Sequence, residues 1–245
     1  MRAEDLLNLH TSHPGILELC REPSVLAIVS ELLGTQDISI FTSRILCKLP
    51  GIGKEIVWHQ DSMYWPLTDG SQEAAEELRI RPKVVSLWLA LDDVTEENGP
   101  MEVLPFSAQE ESRDSTVPKD FVVDTGGDTR GFGNFNFTLR EDKLNVFGSR
   151  KVLLKRGECE FHNAYLIHRS DPNTSDSRRM AWIVRYCPTG SRIVPGLRGS
   201  FDKDYTLVPV LGKECEHFHQ TFTFHQDTYA PCFGNSKREA AALKV

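Results

Sequence analysis

Hydrophobic side chains near the start of the chain repeat with helical spacing. Pro23 occupies a position typical of the first turn of a helix, and apolar residues follow with a period near that of a helix until Gly34: Val25, Ile28, Val29 and Leu32. A shorter apolar stretch lies at 16–19. The pattern predicts a core-facing helix that ends near Gly34, with another helical turn or two before it.

Beyond residue 38 the pattern changes to short β-rich stretches separated by glycine, proline and acidic turns. The predicted strands are 38–49, 84–91, 101–104, 151–154, 158–167 and 180–186. Short helices are predicted at 72–78 and 237–243, while the polar segment 107–150 is typical of a lid or binding loop. Short strands with intervening turns predict a mainly β fold, a sandwich or barrel with mostly antiparallel pairing.

The segment 84–91 has two different faces. Alternate positions form an aliphatic face, and the opposite face carries Val84, Ser86, Trp88 and Ala90. A face that combines a hydroxyl, an indole and a methyl group is typical of a cavity wall. A strand buried on both sides explains the same pattern, and the sequence does not decide between the two.

Composition restricts the classes of function. The 245 residues include 28 basic and 35 acidic side chains, for a net charge of −7, which argues against a general nucleic-acid or anionic-membrane surface. No apolar run approaches the roughly 20 residues that cross a bilayer. The first residues lack the apolar stretch of a secretory leader, so a cytoplasmic location is expected. The six cysteines are dispersed and are expected to be reduced thiols.

Candidate metal chemistry begins at the sequence Trp58-His59-Gln60-Asp61. Residues two apart on a strand point to the same side, so His59 and Asp61 can converge on one ion. His168 follows an apolar stretch and precedes a turn. Two imidazoles and one carboxylate form the triad that holds non-haem Fe(II) and leaves coordination positions open. Eleven residues later, a guanidinium of the Arg178-Arg179 pair can reach the same cavity and bind the far carboxylate of 2-oxoglutarate.

Three ordered blocks, within roughly residues 38–190, carry a family resemblance. They are Trp58-His59-Gln60-Asp61 with Tyr64-Trp65, Trp88-Leu89-Ala90-Leu91-Asp92-Asp93 running to Glu97-Asn98-Gly99-Pro100-Met101, and the stretch from His168 to Arg179. Together the blocks resemble the phytanoyl-CoA dioxygenase family of iron- and 2-oxoglutarate-dependent oxygenases. The resemblance implies a double-stranded β-helix, or jelly roll, with iron held by His59, Asp61 and His168.

The same resemblance implies a cosubstrate pocket. Arg179 is expected to bind the 5-carboxylate of 2-oxoglutarate, with help from Ser170 and with Trp88 in the same pocket. Strand alternation agrees, because an inward Arg179 shares its face with Ala181, Ile183 and Arg185. A β-bulge would bring Arg178 inward instead.

The substrate pocket is expected to include Tyr64, Trp65 and Arg169, with ordinary packing as the alternative for the two aromatic residues. Arg169 replaces a glycine that the family often has after the histidine, and is expected to narrow the mouth or contact an anionic substrate. The family's Pro-Gly-Ser-His sequence is Pro105-Phe106-Ser107-Ala108 here. That histidine is not a usual ligand, so the expected iron site is unaffected.

The remaining histidines are expected to lie outside the metal site. The second His-Gln-Asp sequence, His225-Gln226-Asp227, has no ordered blocks around it. His162, in the predicted strand 158–167, lies six residues before His168 and shares its parity, so it is expected to be a buried packing residue beside the same interior. Tail or surface positions are expected for His10, His13, His217 and His219.

The expected protein is one Fe(II)/2-oxoglutarate dioxygenase domain over 1–245. Helices occupy 1–34, the jelly-roll core about 38–190 and a tail about 206–245. It is expected to use dioxygen to hydroxylate an unactivated carbon of a small molecule, with release of succinate and CO2. The alternatives are a non-catalytic jelly-roll binding protein, which a short N-terminal region favours, and a cupin-type enzyme with another metal. Four scattered arginines have two possible interpretations: together they favour an anionic substrate, or they are solvated surface residues. They are Arg169, Arg185, Arg192 and Arg198.

Overall fold

The computed structural model describes residues 6–65, 67–68, 83–109, 121–123, 137–139, 148–193, 206–213 and 215. The helices are α1 (Pro14–Leu19) and α2 (Pro23–Leu33), with single 3₁₀ turns at Leu9–Thr11, Asp61–Met63 and Ser107–Gln109. The strands are β1 (Leu6–Leu7), β2 (Ile38–Lys48), β3 (Ile56–His59), β4 (Leu67–Thr68), β5 (Val85–Ala90), β6 (Met101–Val103), β7 (Phe121–Val123), β8 (Phe137–Leu139), β9 (Arg150–Val152), β10 (Cys159–Asn163), β11 (His168–Ser170), β12 (Arg179–Pro188), β13 (Arg192–Ile193) and β14 (Val208–Leu211). The predicted helices at 72–78 and 237–243 and most of the segment 107–150 lie outside the described residues.

Two antiparallel sheets form the core. The larger sheet has the order β1-β2-β12-β5-β10, with β14 also paired to β2, and the smaller has the order β3-β11-β6-β9. Successive core strands alternate between the two sheets except at the step from β6 to β9. This alternation, with the first and last core strands paired as β2 and β12, is the topology of a jelly roll, and it confirms the predicted fold.

Helix α2 ends at Gly34, as its sequence pattern predicts. Gly34 adopts φ 67°, a left-handed conformation that glycine adopts without strain. The face that packs on the sheet differs from the predicted one, because Leu26, Val29 and Leu33 are buried whereas Ile28 and Leu32 are exposed. The helix is therefore rotated relative to the predicted core-facing positions, and its buried residues join the cluster on the outer face of the larger sheet.

Strand β5 separates two hydrophobic regions. Val85 and Leu87 face the helices, in one cluster with residues of α2. Trp88 and Ala90 face the space between the sheets, where they pack with Met101. Trp88 also lines a cavity in that space, so the cavity-wall interpretation of this face is the one that the structure supports.

The predicted strand 158–167 is wrong in its extent, because the chain turns within it. Strand β10 ends at Asn163, and the side-chain oxygen of Asn163 accepts hydrogen bonds from the backbone N–H groups of Tyr165 and Leu166. This turn carries the chain from the larger sheet into β11 of the smaller sheet. Strand β14 lies within the predicted tail, where the sequence pattern predicts no strand.

No helix in the described part of the chain is long and apolar enough to span a bilayer. The five cysteines in that part are all free thiols, in agreement with the expectation of reduced thiols.

Candidate active site

Two neighbouring strands of the smaller sheet bring together the predicted metal ligands. His59 is the last residue of β3, and it lies in register with His168, the first residue of β11. Asp61 opens the 3₁₀ turn after β3 rather than continuing the strand. The three side chains are buried, and their candidate ligand atoms all lie within 4.8 Å of one another. The geometry is that of a facial triad for a divalent metal.

Backbone hydrogen bonds orient both imidazoles. Nδ1 of His59 lies 2.8 Å from the carbonyl oxygen of Val57, and Nδ1 of His168 lies 2.9 Å from that of Leu166. A carbonyl oxygen can only accept, so Nδ1–H donates in each ring and Nε2 carries the lone pair in the neutral form. Burial, which costs the charged imidazolium, lowers the pKa of both residues. Both rings are therefore held in the neutral form that binds metals.

Asp61 lies between an arginine and a histidine. Its Oδ2 is 3.4 Å from Nη2 of Arg185, and its Oδ1 is 3.8 Å from Nε2 of His59. Burial alone would raise the pKa of the carboxyl group, but the Arg185 guanidinium and the neighbouring imidazoles outweigh burial and hold it well below its usual range. Asp61 is therefore ionised and available as a ligand.

The cavity beside the triad also contains the predicted cosubstrate residues. Arg179 is fully buried, and its Nη2 donates a hydrogen bond to the carbonyl oxygen of Gly99 at 2.6 Å. Its guanidinium carbon lies 5.4 Å from the centre of the Trp88 ring. Nε of Arg179 and Oγ of Ser170 are buried, with no partner among the described residues. Burial lowers the pKa of Arg179 to about 10, so the side chain is still charged at neutral pH.

These unpaired groups fit a dicarboxylate. A guanidinium and a hydroxyl donate to carboxylate oxygens, and buried donors are normally paired. Arg178, the alternative to Arg179, points away from the cavity and pairs with Asp92 at 3.3 Å. Alternation along β12 therefore selects Arg179, and its register is regular at that position.

Lys48 is a second buried basic side chain at this end of the cavity, and it is not among the site residues predicted from the sequence. It lies in register with Arg179, and its Nζ donates to the carbonyl oxygens of Ser170 and Asp171. Burial lowers the pKa of Lys48 to about 7. Strand alternation in β2 could have indicated its direction, because Arg44 and Leu46 lie four and two residues before Lys48 and both line the cavity.

The three predicted substrate-pocket residues have different positions. Arg169 lines the cavity, but its charge is balanced by Glu102 at 2.6 Å and Asp171 at 3.2 Å. Trp65 is buried away from the lining, and its ring lies 5.0 Å from the guanidinium carbon of Arg185. Tyr64 is also outside the described lining, and its ring centre is 6.3 Å from that of His59.

His162 faces the same interior from the larger sheet. Its Nδ1 lies 2.8 Å from Oε1 of Glu160, and its ring centre is 5.2 Å from that of His168. Burial alone would lower the pKa of His162, but the charge and hydrogen bond of Glu160 outweigh burial, so the pKa is raised above its usual value. The expectation of a buried histidine beside the site is correct, although His162 and His168 occupy different sheets.

The surface position expected for His10 is wrong. His10 is buried, with Nδ1 2.7 Å from Oγ of Ser43 on the helix-facing side of β2. The histidines expected in the tail, His217, His219 and His225, lie outside the described residues.

The fold and the triad together define a jelly-roll protein with a candidate metal centre. The model of the phytanoyl-CoA dioxygenase (PhyH) family matches residues 3–181. The chain belongs to this family, a family of iron- and 2-oxoglutarate-dependent oxygenases.

Individual relatives are more distant. An L-proline trans-4-hydroxylase of Streptomyces griseoviridis is 26% identical over 69% of this chain and 61% of its own length. A probable alpha-ketoglutarate-dependent hypophosphite dioxygenase of Stutzerimonas stutzeri is 25% identical over 84% of this chain and 64% of its own. The chain therefore spans less than two thirds of either relative.

Solved structures agree on the fold. EctD from S. alaskensis with 2-oxoglutarate and 5-hydroxyectoine is 19% identical, with a TM-score of 0.61 over 85% of this chain and 64% of that one. The epimerase SnoN with Fe3+, alpha ketoglutarate and nogalamycin RO is 20% identical, with a TM-score of 0.59 over 85% and 75%. At these identities the likeness concerns the fold alone.

Proposed function

We propose that this chain is an Fe(II)- and 2-oxoglutarate-dependent dioxygenase that hydroxylates an unactivated carbon of a small molecule. One observation carries the proposal: the buried triad His59, Asp61 and His168 lines the same cavity as the unpaired donors of Arg179 and Ser170. When bound, Fe(II) and 2-oxoglutarate supply the oxidation of a C–H bond by dioxygen. One oxygen atom enters the new hydroxyl group and the other enters succinate, which forms with CO2.

The protein residues bind and orient the reactants in this proposal. Nε2 of His59 and of His168 and one carboxylate oxygen of Asp61 are the metal ligands. Arg179 binds the 5-carboxylate of 2-oxoglutarate, and the hydroxyl of Ser170 donates to the same group. Trp88 lies against the Arg179 guanidinium and keeps it in the orientation that receives the carboxylate.

The names of the two relatives support a small substrate, since they refer to L-proline and hypophosphite. Arg169 is the residue of the predicted substrate pocket that lines the cavity. Direct contacts of Tyr64 and Trp65 with the substrate, and a cytoplasmic location, stay predictions.

Anaerobic titration tests the proposal. Fe(II) and then 2-oxoglutarate are added to the apo-protein, and the weak visible charge-transfer band of the chelate is recorded. The wild-type protein should give the band, whereas Asp61→Ala should abolish it. Arg179→Ala should raise the 2-oxoglutarate concentration required at least tenfold, because the loss removes a bidentate charged contact.

Arg178→Ala is the matched control for Arg179→Ala. It removes the same side chain from the next position, where the guanidinium is exposed and pairs with Asp92, and should leave the titration unchanged. The absence of a band in folded, iron-loaded wild-type protein would contradict the proposal and favour a binding jelly roll. Equal effects of the two arginine variants would contradict the assignment of Arg179.

A further inference from the structure

Three polar side chains form a row across the larger sheet, on the face that meets the metal triad. Arg185 on β12 is in register with Ser86 on β5, and Ser86 is in register with His162 on β10. Side chains in register on adjacent antiparallel strands lie about 5 Å apart. Arg185 and His162 line the cavity, and Ser86 is fully buried between them. We refer to Arg185, Ser86 and His162 as the polar row.

Each member of the polar row has an unpaired buried atom. Nε of Arg185, Oγ of Ser86 and Nε2 of His162 have no hydrogen-bond partner among the described residues. Buried polar groups in proteins are normally paired with protein, water or ligand. Two of these atoms, Nε of Arg185 and Oγ of Ser86, can donate to a bound group, and Nε2 of His162 is an acceptor because Nδ1–H is directed to Glu160.

The positive charge of Arg185 indicates the chemical class of the bound group. Arg185 contacts Asp61 at 3.4 Å, but the negative charge of Asp61 is shared with a divalent metal once the metal binds. Arg169 is already balanced by Glu102 and Asp171. Asp61 would therefore balance the guanidinium of Arg185 only in part once a metal is bound, and a carboxylate is a compact organic group that complements the remaining positive charge.

Glu160 and Trp65 hold two members of the polar row in place. Glu160 accepts the hydrogen bond from Nδ1–H of His162, which directs Nε2 away from Glu160. Trp65 lies against the guanidinium of Arg185 and packs edge-on against Phe41, with ring centres 5.6 Å apart. Both groups are thus oriented before a ligand arrives, which lowers the entropy cost of binding.

We propose that the polar row binds a carboxylate of the substrate, so that the substrate is a small carboxylic acid. Arg185 and Ser86 donate to its oxygens, while Nε2 of His162 carries the lone pair and is left for a donor group of the substrate. This inference rests on the proposed function. Arg185 is six residues from Arg179 on β12, about 20 Å along the strand. The substrate carboxylate and the 5-carboxylate of 2-oxoglutarate therefore bind to different guanidinium groups of β12.

Calorimetric titration tests this inference on protein loaded anaerobically with Fe(II) and 2-oxoglutarate. The probes are L-proline, L-pipecolate, L-lactate and benzoate, each paired with its primary amide. At least one acid should bind, and its amide, which lacks the negative charge, should bind at least tenfold more weakly. In air, that acid should increase the release of succinate above the level without it.

Substitutions in the polar row test which side chains bind the carboxylate of the acid. At Fe(II) concentrations that saturate each variant, Arg185→Gln should weaken binding of the acid at least tenfold. Ser86→Ala removes a hydroxyl group that makes no hydrogen bond to a metal ligand, and it should weaken binding of the acid about threefold. Arg192→Gln changes an exposed arginine and should have no effect. The inference is overturned if an amide binds as tightly as its acid, or if no acid binds to protein that shows the chelate band. If the chelate band itself does not form, the proposed function fails and this inference fails with it.

Discussion

Arg185 and Asp61 are 124 residues apart in the chain, and their side chains meet at 3.4 Å inside the jelly roll. The contact engages Oδ2 of Asp61, while Oδ1 faces Nε2 of His59 at 3.8 Å. The guanidinium thus binds one carboxylate oxygen and leaves the other for the metal that we propose binds here. Hydrogen bonds of this kind orient metal ligands and keep them in the required geometry.

Arg185→Gln should weaken Fe(II) binding about tenfold, because Asp61 loses the group that orients it. The measurement is a competition titration of the apo-protein with a chelator of known affinity. Arg192→Gln serves as the control, since Arg192 is exposed on β13. Tighter metal binding in Arg185→Gln would show instead that repulsion between the guanidinium and the metal dominates.

Ser170 provides a test of the cosubstrate end alone. Ser170→Ala should weaken 2-oxoglutarate binding to the metal-loaded protein about fivefold, the effect of roughly 1 kcal/mol for one lost hydrogen bond. Calorimetry under anaerobic conditions measures the change. Ser24→Ala, at an exposed position of α2, should bind 2-oxoglutarate with wild-type affinity. An equal loss in both variants would remove the proposed role of Ser170.

Gly99 is a position where an added methyl group has two effects. Its φ is 80°, and a Cβ would lie 2.6 Å from the carbonyl oxygen of Asp171 and 2.9 Å from Cδ of Lys48. Gly99→Ala should lower the free energy of unfolding by at least about 2 kcal/mol, through backbone strain and the clash. It should also weaken 2-oxoglutarate binding, because the carbonyl oxygen of Gly99 holds Arg179.

Gly15→Ala is the matched control for that prediction. Gly15 lies in α1, and a Cβ there would meet no atom within 4 Å. Alanine should stabilise the helix by roughly 0.5 kcal/mol. Urea denaturation of both variants gives the comparison, and a Gly99→Ala protein as stable as wild type would contradict the predicted clash.

His10 predicts a pH dependence of stability. Burial lowers its pKa from 6.5 to about 4 in the folded protein. The folded state disfavours the protonated ring, so protonation of the unfolded chain lowers the free energy of unfolding. This free energy has its full value above pH 6.5 and decreases as the pH falls toward 4, by at most roughly 3 kcal/mol. His10→Asn, which retains a polar atom toward Ser43, should reduce the slope of unfolding free energy between pH 7 and 5. An unchanged slope in metal-free protein would contradict this assignment.

Local patterns in the sequence were sufficient for much of the fold. The apolar spacing before Gly34 predicts α2, and strand alternation predicts the two faces of β5 and the inward direction of Arg179. The alternation failed across 158–167, because the side chain of Asn163 makes a turn that a two-residue period does not reveal. It also misplaced the buried face of α2, since tertiary packing selects among apolar positions on neighbouring faces.

The sequence by itself determined which residue types could form the site: the His59-Asp61 spacing, the later His168 and the Arg178-Arg179 pair. Only the tertiary structure decided how they are arranged. The pairing of β3 with β11 places His168 beside His59, and the pairings of β5 with β12 and β10 place the polar row beside the triad. These pairings join residues 76 to 109 positions apart, as in Ser86 with His162 and His59 with His168. They depend on the packing of two whole sheets, which no local period of the sequence encodes.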